Sequence, residues 1–355
     1  MKLRALLFGF LLFSSCGAPS GAVATIQAGG EWFLNNQNES FIHYQYSPKT
    51  FFHPEKSHSM REMGALWSIY HLADFLEDER YEVLAERGLH YFKSSLVQDE
   101  ENGFTYVNIT PEKVKLGYSA FMILNLLESE DPEKEELMRE LADGILYAQA
   151  ENGELDTFFY SDRATGVDYY PGEALLALMS LYEHTGEPRY LEAVSKALPY
   201  YEAYFKENPN TAFVPWQTQA FFKYYENTEE QAAADFIFAM NDFMVQKFSE
   251  GQCDPNLNSA GIVAAVFSEG MNKAYELAER VGDEERSRCY ARFIRNGAEK
   301  VMELQFPMED QNAEDFEAAA WGGFYGSKGD WLMQVDRNQH AVMALMGAYE
   351  LGLIQ

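Results

Sequence analysis

The feature that most constrains the fold is a regular alternation of two kinds of helical segment. One kind is apolar on nearly every side and rich in small residues, so a helix formed from it must be buried on every side. The other kind is longer and carries its charges along one face, which places it at the surface. The apolar segments cover residues 63–70, 116–124, 171–178, 217–222, 260–266 and 339–345. The amphipathic segments cover residues 79–97, 132–150, 187–205, 228–248 and 283–305.

A further amphipathic segment completes the count of outer helices. Residues 22–37 end in Trp-Phe-Leu-Asn-Asn-Gln, which echoes the glutamine that ends other outer segments at Gln98, Gln149, Gln246 and Gln305. An outer helix then comes first and an inner helix comes last. An open helical stack would need polar caps at both ends, but the final segment is apolar almost to the last residue. The sequence therefore predicts an all-α (α/α)6 toroid, six helical hairpins in an inner and an outer ring, as one domain over residues 22–355.

The first residues have the pattern of an export signal. Lys2 and Arg4 precede an apolar run over residues 5–13 that is too short to span a bilayer. Phe13-Ser14-Ser15-Cys16 then resembles the lipobox of bacterial lipoproteins, in which the cysteine is acylated and becomes the mature N-terminus. An ordinary signal peptide cut near Ala18 is the alternative.

The lipoprotein resemblance implies a division of the chain and a location. Residues 1–15 would be the signal peptide and residues 16–21 a short tether. The mature protein would be lipid-anchored through Cys16 in the cell envelope, facing the periplasm or the cell exterior.

Net charge and cysteine content limit the partners. A formal charge of -29 repels nucleic acid and anionic lipid, so we expect no nucleic-acid partner and membrane contact only through the anchor. Export would permit a Cys253–Cys289 disulfide, although Cys289 lies in a charged helical stretch and the sequence favours free thiols. Because no Cys/His spacing is typical of zinc, we expect no metal and no cofactor. The oligomeric state stays open.

The loops predict where a site lies. Turns from inner to outer segments are short, whereas connections from outer to inner segments are long, and long loops in a compact domain are usually functional. All the long loops fall on the rim where the inner helices begin, and many aromatic residues gather there. We therefore expect a substrate cleft at this rim.

This architecture resembles the six-hairpin (α/α)6-toroid superfamily. That superfamily includes glycoside hydrolases, unsaturated glucuronyl hydrolases, N-acylglucosamine 2-epimerases and the helical part of glucuronyl C5-epimerases. Residues 169–174 (Tyr-Tyr-Pro-Gly-Glu-Ala) and 321–324 (Trp-Gly-Gly-Phe) are similar to segments common in such proteins. The resemblance implies a carbohydrate substrate and leaves hydrolysis, elimination and epimerisation open, because fold alone does not give function.

Five residues are candidates for catalysis. Glu173 lies in the first turn of a fully buried helix, where a carboxylate needs a partner or a raised pKa. Glu62 and Asp336 open two other inner helices and are equally interpretable as parts of capping boxes. His340 fits a general base or a hydrogen-bonded core histidine. Glu269 lies in the middle of an inner helix and fits the cavity wall or a buried ion pair.

Rim side chains are the candidates for substrate contacts. Arg61 suits an anion clamp, while Trp216 and Gln217 suit the ring face and hydroxyls of a sugar. Lys115 and His53 could each hold an anionic group or simply be solvated. The predicted substrate-binding set is Arg61, Tyr106, Asp168, Tyr170, Trp216, Gln217, Trp321, Phe324 and Gln339.

Two function classes follow from these observations. The favoured one is an exported carbohydrate-active enzyme of hydrolase or epimerase type, acting on a glycan, a sugar or another small molecule. The alternative is a non-catalytic glycan- or peptide-binding lipoprotein, because each polar candidate also has a structural interpretation. Prenyl- and lanthionine-type enzymes on related toroids are disfavoured, since the chain lacks an Asp-rich metal motif and a Cys/His zinc set.

Overall fold

Twelve α-helices dominate the computed structural model, which describes residues 21–109, 113–249, 253–308 and 316–355. The predicted signal segment and Cys16 lie outside the described residues. The outer helices are α1 (Ala22–Asn35), α3 (Glu79–Lys93), α5 (Lys134–Tyr147), α7 (Pro188–Glu207), α9 (Gln231–Phe248) and α11 (Glu284–Met302). The inner helices are α2 (Ser59–Leu76), α4 (Leu116–Glu128), α6 (Tyr170–Thr185), α8 (Val214–Thr228), α10 (Val263–Val281) and α12 (Val335–Glu350).

The inner helices form a closed ring. Each one from α2 to α10 packs against the next inner helix, and α12 packs back against α2. Burial follows the sequence pattern: residues 116–126 of α4 are all buried, whereas α11 buries one face and exposes its charges. The predicted (α/α)6 toroid is confirmed. No helix of the described ranges is long and apolar enough to cross a membrane.

The glutamines that end outer helices connect neighbours in the outer ring. The Gln149 side chain donates a hydrogen bond to the Ala193 carbonyl of α7 at 2.8 Å. In the same way, Gln305 donates to the Thr25 carbonyl of α1 at 2.8 Å. Since Gln305 follows the last outer helix and Thr25 lies in the first, this bond closes the outer ring.

Two short sheets lie at the rim that carries the long loops. β1 (Gln45–Tyr46) pairs antiparallel with β4 (Met333–Gln334), with Gln45 opposite Gln334. β2 (Leu96–Asp99) pairs antiparallel with β3 (Phe104–Val107) as a hairpin. The sequence analysis predicted neither sheet. The first one joins the loop before α2 to the start of α12, so it reinforces the closure of the ring.

Cys253 and Cys289 form a disulfide, with their Cα atoms 5.0 Å apart. The preference for free thiols was therefore wrong. Cys289 lies on the buried face of α11 and is 6% exposed, so it faces the α9–α10 connection instead of solvent. The charges of this stretch occupy the opposite face and do not keep the two sulfurs apart.

Removing the disulfide is expected to destabilise the ring. The bridge closes a loop of 36 residues, so a Cys289→Ser variant should lose about 2–4 kcal/mol of unfolding free energy. Urea unfolding in the absence of reductant measures the loss. The wild type in dithiothreitol is the matched control and should approach the variant. Identical midpoints for the oxidised wild type and the variant would contradict a stabilising bridge.

Candidate functional site

An ion pair joins the first and last inner helices at the rim where the inner helices begin, here called the front rim. Arg61 of α2 lies 3.1 Å from the Asp336 carboxylate of α12 and donates a hydrogen bond to the Tyr44 hydroxyl at 2.7 Å. Gln334 donates to the same hydroxyl at 3.1 Å. Asp336 makes no side-chain cap, so its interpretation as a capping residue was wrong. Gln339 is buried against Gly64 of α2.

A histidine–glutamate pair lies deeper in the ring. The Nδ1 atom of His340 is 2.7 Å from Oε1 of Glu269 on α10. Burial alone would lower the pKa of His340, but the Glu269 carboxylate and its hydrogen bond outweigh burial and raise it. The structure thus brings together His340 and Glu269, two of the catalytic candidates predicted from the sequence. Because the hydrogen bond to Glu269 engages Nδ1, Nε2 is the ring nitrogen available for proton transfer.

Glu173 is a buried carboxyl group that lacks a hydrogen-bond partner at Oε2. The residue is 4% exposed, and burial raises its pKa to about 8, with the charge of Lys115 opposing the shift. The carboxyl group lies against the α-carbon of Gly117, where any Cβ atom would collide with it. Lys115 lies over the rings of Tyr118 and Tyr170, at 5.3 and 5.6 Å. Glu173 is therefore mainly protonated at neutral pH and can donate a proton.

The raised pKa of Glu173 predicts a dependence of stability on pH. The folded protein holds this proton above pH 4.5 and the unfolded chain does not, so stability falls as pH rises toward about 8. A Glu173→Gln variant removes this pH-dependent contribution, and its stability relative to the wild type should increase by about 4 kcal/mol between pH 5 and pH 8.5. Urea unfolding at both pH values measures it. Parallel pH profiles for the two proteins would contradict a protonated Glu173.

Glu62 performs a structural task. Its carboxylate accepts hydrogen bonds from the His58 backbone N–H at 2.9 Å and from the Ser57 hydroxyl at 3.1 Å. It therefore fixes the loop that enters α2, which agrees with the capping interpretation, although His58 rather than Ser59 is the capping position.

Tyr44 and His58 belong to the front rim, but neither was among the site residues predicted from the sequence. Their rings stack at 5.9 Å, and Nδ1 of His58 is buried without a hydrogen-bond partner. Burial, with the nearby charge of Arg61, lowers the pKa of His58. The length of the connection before α2 was the only signal that pointed to them.

Trp216 forms a floor beneath the front rim. Its ring lies 6.3 Å from Trp67, 5.5 Å from Phe121 and 6.3 Å from His340. The neighbouring Gln217 is fully buried, and neither polar atom of its amide has a hydrogen-bond partner.

The front rim groups are within electrostatic range of one another. The charge of Arg61 contributes to the pKa of His340 and to the pKa of Tyr169. Glu173 also contributes to the pKa of Tyr169, and Lys115 contributes to that of Glu173. Electrostatic interactions therefore link the acid, base and cationic groups of the front rim.

Other predicted contacts lie away from this group. Phe324 is fully buried and donates its backbone N–H to Asn338. Its apolar ring fills the core. Trp321 is exposed in the segment that packs on α1, where Gly322 touches Ala28.

Three further candidates have partners near the rim. Asp168 accepts a hydrogen bond from Asn210 at 3.0 Å. Tyr106 belongs to an aromatic cluster with Phe159 at 5.9 Å and Tyr160 at 5.5 Å. Tyr170 is half-buried, edge-on to Phe158.

A cavity of about 750 Å³ opens at the end opposite the front rim. It lies between the second halves of α2, α8, α10 and α12, and Glu269 and Trp67 contribute to its wall. The substrate cleft was expected at the front rim, whereas this cavity opens at the opposite rim, which carries the short turns. Glu269 therefore contacts His340 and this back cavity alike. Among the described residues, no group of three or more His, Cys, Asp or Glu side chains could hold a metal ion.

Comparison with known proteins supports the fold alone. No family model and no curated protein matches the sequence. The structure is similar to the α-1,6-mannanase GH76A of Salegentibacter sp. HEL1_6, with a TM-score of 0.67 and 10% identity over 93% of this chain and 99% of the mannanase. It is also similar to a D-mannose isomerase, with a TM-score of 0.65 and 14% identity over 93% and 97% of the two chains.

A further structural neighbour is a hydrolase of glycosaminoglycan degradation. An unsaturated glucuronyl hydrolase from Bacillus sp. GL1, responsible for glycosaminoglycan degradation, has a TM-score of 0.65 and 13% identity over 94% of this chain and 97% of its own. All three neighbours share the (α/α)6 toroid with this chain.

Proposed function

We propose that this protein is a sugar-processing enzyme that transfers a proton at a carbon next to a carbonyl group, as in isomerisation or epimerisation. The observation that carries the proposal is the buried His340–Glu269 pair beside the Arg61–Asp336 pair at the front rim. A histidine held by a carboxylate through Nδ1 presents Nε2 as a general base.

The remaining rim residues supply the other parts of the reaction. When Nε2 of His340 takes the proton from carbon, negative charge develops on the carbonyl oxygen. The guanidinium of Arg61 stabilises such charge, and the protonated Glu173 can donate a proton to it. For isomerisation, the histidinium then gives its proton to the neighbouring carbon, and the Glu173 carboxylate takes back a proton from the hydroxyl that becomes the new carbonyl. For epimerisation, the enol would turn its other face to the histidinium before the proton returns to the same carbon, and Glu173 would recover its proton from the enol hydroxyl. Charge and protons balance without a cofactor.

The fold neighbours include both sugar isomerases and glycoside hydrolases, so the residues must distinguish the two. Inactive variants of the Salegentibacter mannanase replace two aspartates that are adjacent in its sequence. The present sequence contains no two consecutive aspartates. This difference favours proton transfer over a mannanase-type hydrolysis. D-mannose isomerase is a neighbour whose reaction matches the proposed chemistry.

Hydrolysis is the second candidate, and Glu173 favours it. A carboxyl group that stays protonated at neutral pH is what a glycosidase requires of its general acid. Asp336, which is held beside Arg61, would then be the second carboxyl group of the reaction.

A deuterium experiment separates the two reactions. The purified protein is incubated in D₂O with mannose, fructose, glucose, glucuronate and α-1,6-mannooligosaccharides, and the products are followed by NMR. Proton transfer predicts deuterium at the carbon next to the carbonyl of one monosaccharide. Release of reducing ends without deuterium on carbon would favour the hydrolase. A protein that binds a glycan and changes none would be the binding lipoprotein.

We further propose that the enzyme is exported and anchored through Cys16 in the cell envelope. The motivation is the charged start, the short apolar run and the lipobox-like residues 13–16. Mass spectrometry of the mature N-terminus tests this. A diacylglyceryl-modified Cys16 is expected, and an unmodified terminus at residue 17 or later would refute the anchor.

A further inference from the structure

The back cavity has a strongly negative lining. Its carboxylates include Asp74, Glu269 and Glu350, none of which forms an ion pair with a lysine or arginine in the described part of the chain. The lining lysines are already engaged, Lys273 with Glu276 at 2.7 Å and Lys223 with Glu183. The C-terminal halves of four inner helices also direct carbonyl ends toward this opening, which adds negative potential.

Three buried polar atoms of lining residues lack hydrogen-bond partners. One is Nε2 of His71, which lies 3.7 Å from the Glu128 carboxylate, and the other two belong to Asn272 and Trp67. Nδ2 of Asn272 donates to the Ala344 carbonyl at 3.3 Å, but its Oδ1 accepts no hydrogen bond. Nε1 of Trp67 is a buried donor without an acceptor. The two residues are 4% and 7% exposed, and both lie in the wall of the cavity. Buried polar groups without partners are costly, so a ligand that satisfies both would be favoured.

We propose that the back cavity binds a small hydroxylated amine, with its ammonium group on Glu269 and Asn272 Oδ1 and a hydroxyl oxygen accepting from Trp67 Nε1. Asp74 and Glu350, which form no ion pair in the described part of the chain, favour positive charge, and the Trp67 donor suits a neutral acceptor such as a hydroxyl oxygen. Phe222 and Met343 supply apolar wall for the carbon skeleton. The volume of about 750 Å³ suits one small molecule. Binding at this site does not depend on the reaction proposed for the front rim.

Because Glu269 contacts both His340 and the back cavity, a bound amine would interact with the carboxylate that holds the proposed base. The ammonium group would compete with His340 for the same carboxylate. The back cavity is therefore a candidate effector site, separated from the front rim by the Trp67–Trp216 contact.

Calorimetry with a matched pair of probes tests the proposal. Glucosamine and glucose differ by one ammonium group in place of a hydroxyl, and each is titrated into the full mature chain. We expect glucosamine to bind and glucose to bind at least about tenfold more weakly, since a hydrogen bond between charged groups contributes that much. In ¹⁵N spectra, the indole resonance assigned through Trp67→Phe should shift with glucosamine.

Variants locate the binding. Asn272→Leu should weaken glucosamine binding about tenfold. Glu350→Gln, at the end of α12 and outside the core packing, should weaken it about two- to fivefold. Glu284→Gln on the outer helix α11 is the matched control and should leave binding unchanged.

Several results would overturn the proposal. Equal affinity for glucose and glucosamine would remove the preference for an ammonium group. Loss of binding in Arg61→Gln, with Asn272→Leu unaffected, would assign the ligand to the front rim, and no binding heat would also refute the site. Sugar conversion is measured separately, so failure of the amine site is distinguishable from failure of the proposed enzyme activity.

Discussion

A Glu269→Gln variant is expected to lose about 10²- to 10⁴-fold in turnover of the sugar substrate, by analogy with the loss of the carboxylate that orients a catalytic histidine. Oε1 of Glu269 lies 2.7 Å from Nδ1 of His340 and stabilises its protonated form. An amide keeps the size of the side chain but not its charge. The histidinium formed during proton transfer then lacks its counter-charge. Steady-state rates with the substrate identified in the deuterium experiment measure the loss.

The pH profile separates a catalytic role of Glu269 from a merely structural one. Because Glu269 raises the pKa of His340, its removal should move the acid limb of the rate profile to lower pH. Glu276→Gln is the matched control on the same helix, where the acid pairs with Lys273 at 2.7 Å. The control should keep its rate and its profile. Full activity in Glu269→Gln, with an unmoved acid limb, would remove the pair from the mechanism.

The sequence predicts the ring because burial leaves a strong periodic signal. Residues 116–126 are buried on every side, and the sequence shows this as a largely apolar run without a charged residue. Inner and outer helices therefore differ in composition as well as in period. Helix ends are harder to predict because local capping decides them. The first outer helix was predicted over residues 22–37, and α1 ends at Asn35.

The site was harder to predict because its contacts join residues far apart in the chain. Arg61 meets Asp336 only because α12 returns to α2, and Glu269 meets His340 across another inner interface. All four were candidates from the sequence, because Arg61, Asp336 and His340 lie near the starts of inner helices and Glu269 is a charged residue between apolar positions of one. It could not decide between capping and pairing, and the structure assigns capping to Glu62 and pairing to Asp336.

Features that depend on three-dimensional packing left no sequence signal. Phe324 was predicted at the rim because it lies in the long connection before the last inner helix, yet tertiary packing draws the ring into the core. The back cavity is framed by helix halves whose charges also fit a solvated surface. Tyr44 lies in a long connection without periodicity, where propensity arguments do not apply.

A Gly117→Ala variant is expected to lose at least about tenfold in turnover, since displacement of a catalytic group by 1 Å can cost about a hundredfold. Gly117 lies in the first turn of α4, and its missing side chain leaves the space that the Glu173 carboxyl group occupies. A methyl group there would also meet Cε of Met60, which can move aside, whereas Glu173 is confined in the core. Overpacking of this kind should cost about 1–3 kcal/mol of unfolding free energy as well.

A glycine in an outer helix isolates the effect on the site. A Cβ atom at Gly144 of α5 would lie 2.9 Å from the ring of Phe104, so Gly144→Ala is crowded too, but at a distance from Glu173. It should lose stability and keep its turnover. Gly117→Ala should lose turnover even at temperatures where urea unfolding shows it fully folded. If both alanine variants retain wild-type rates, the position of the Glu173 carboxyl group does not matter to the reaction, and its raised pKa is only a consequence of burial.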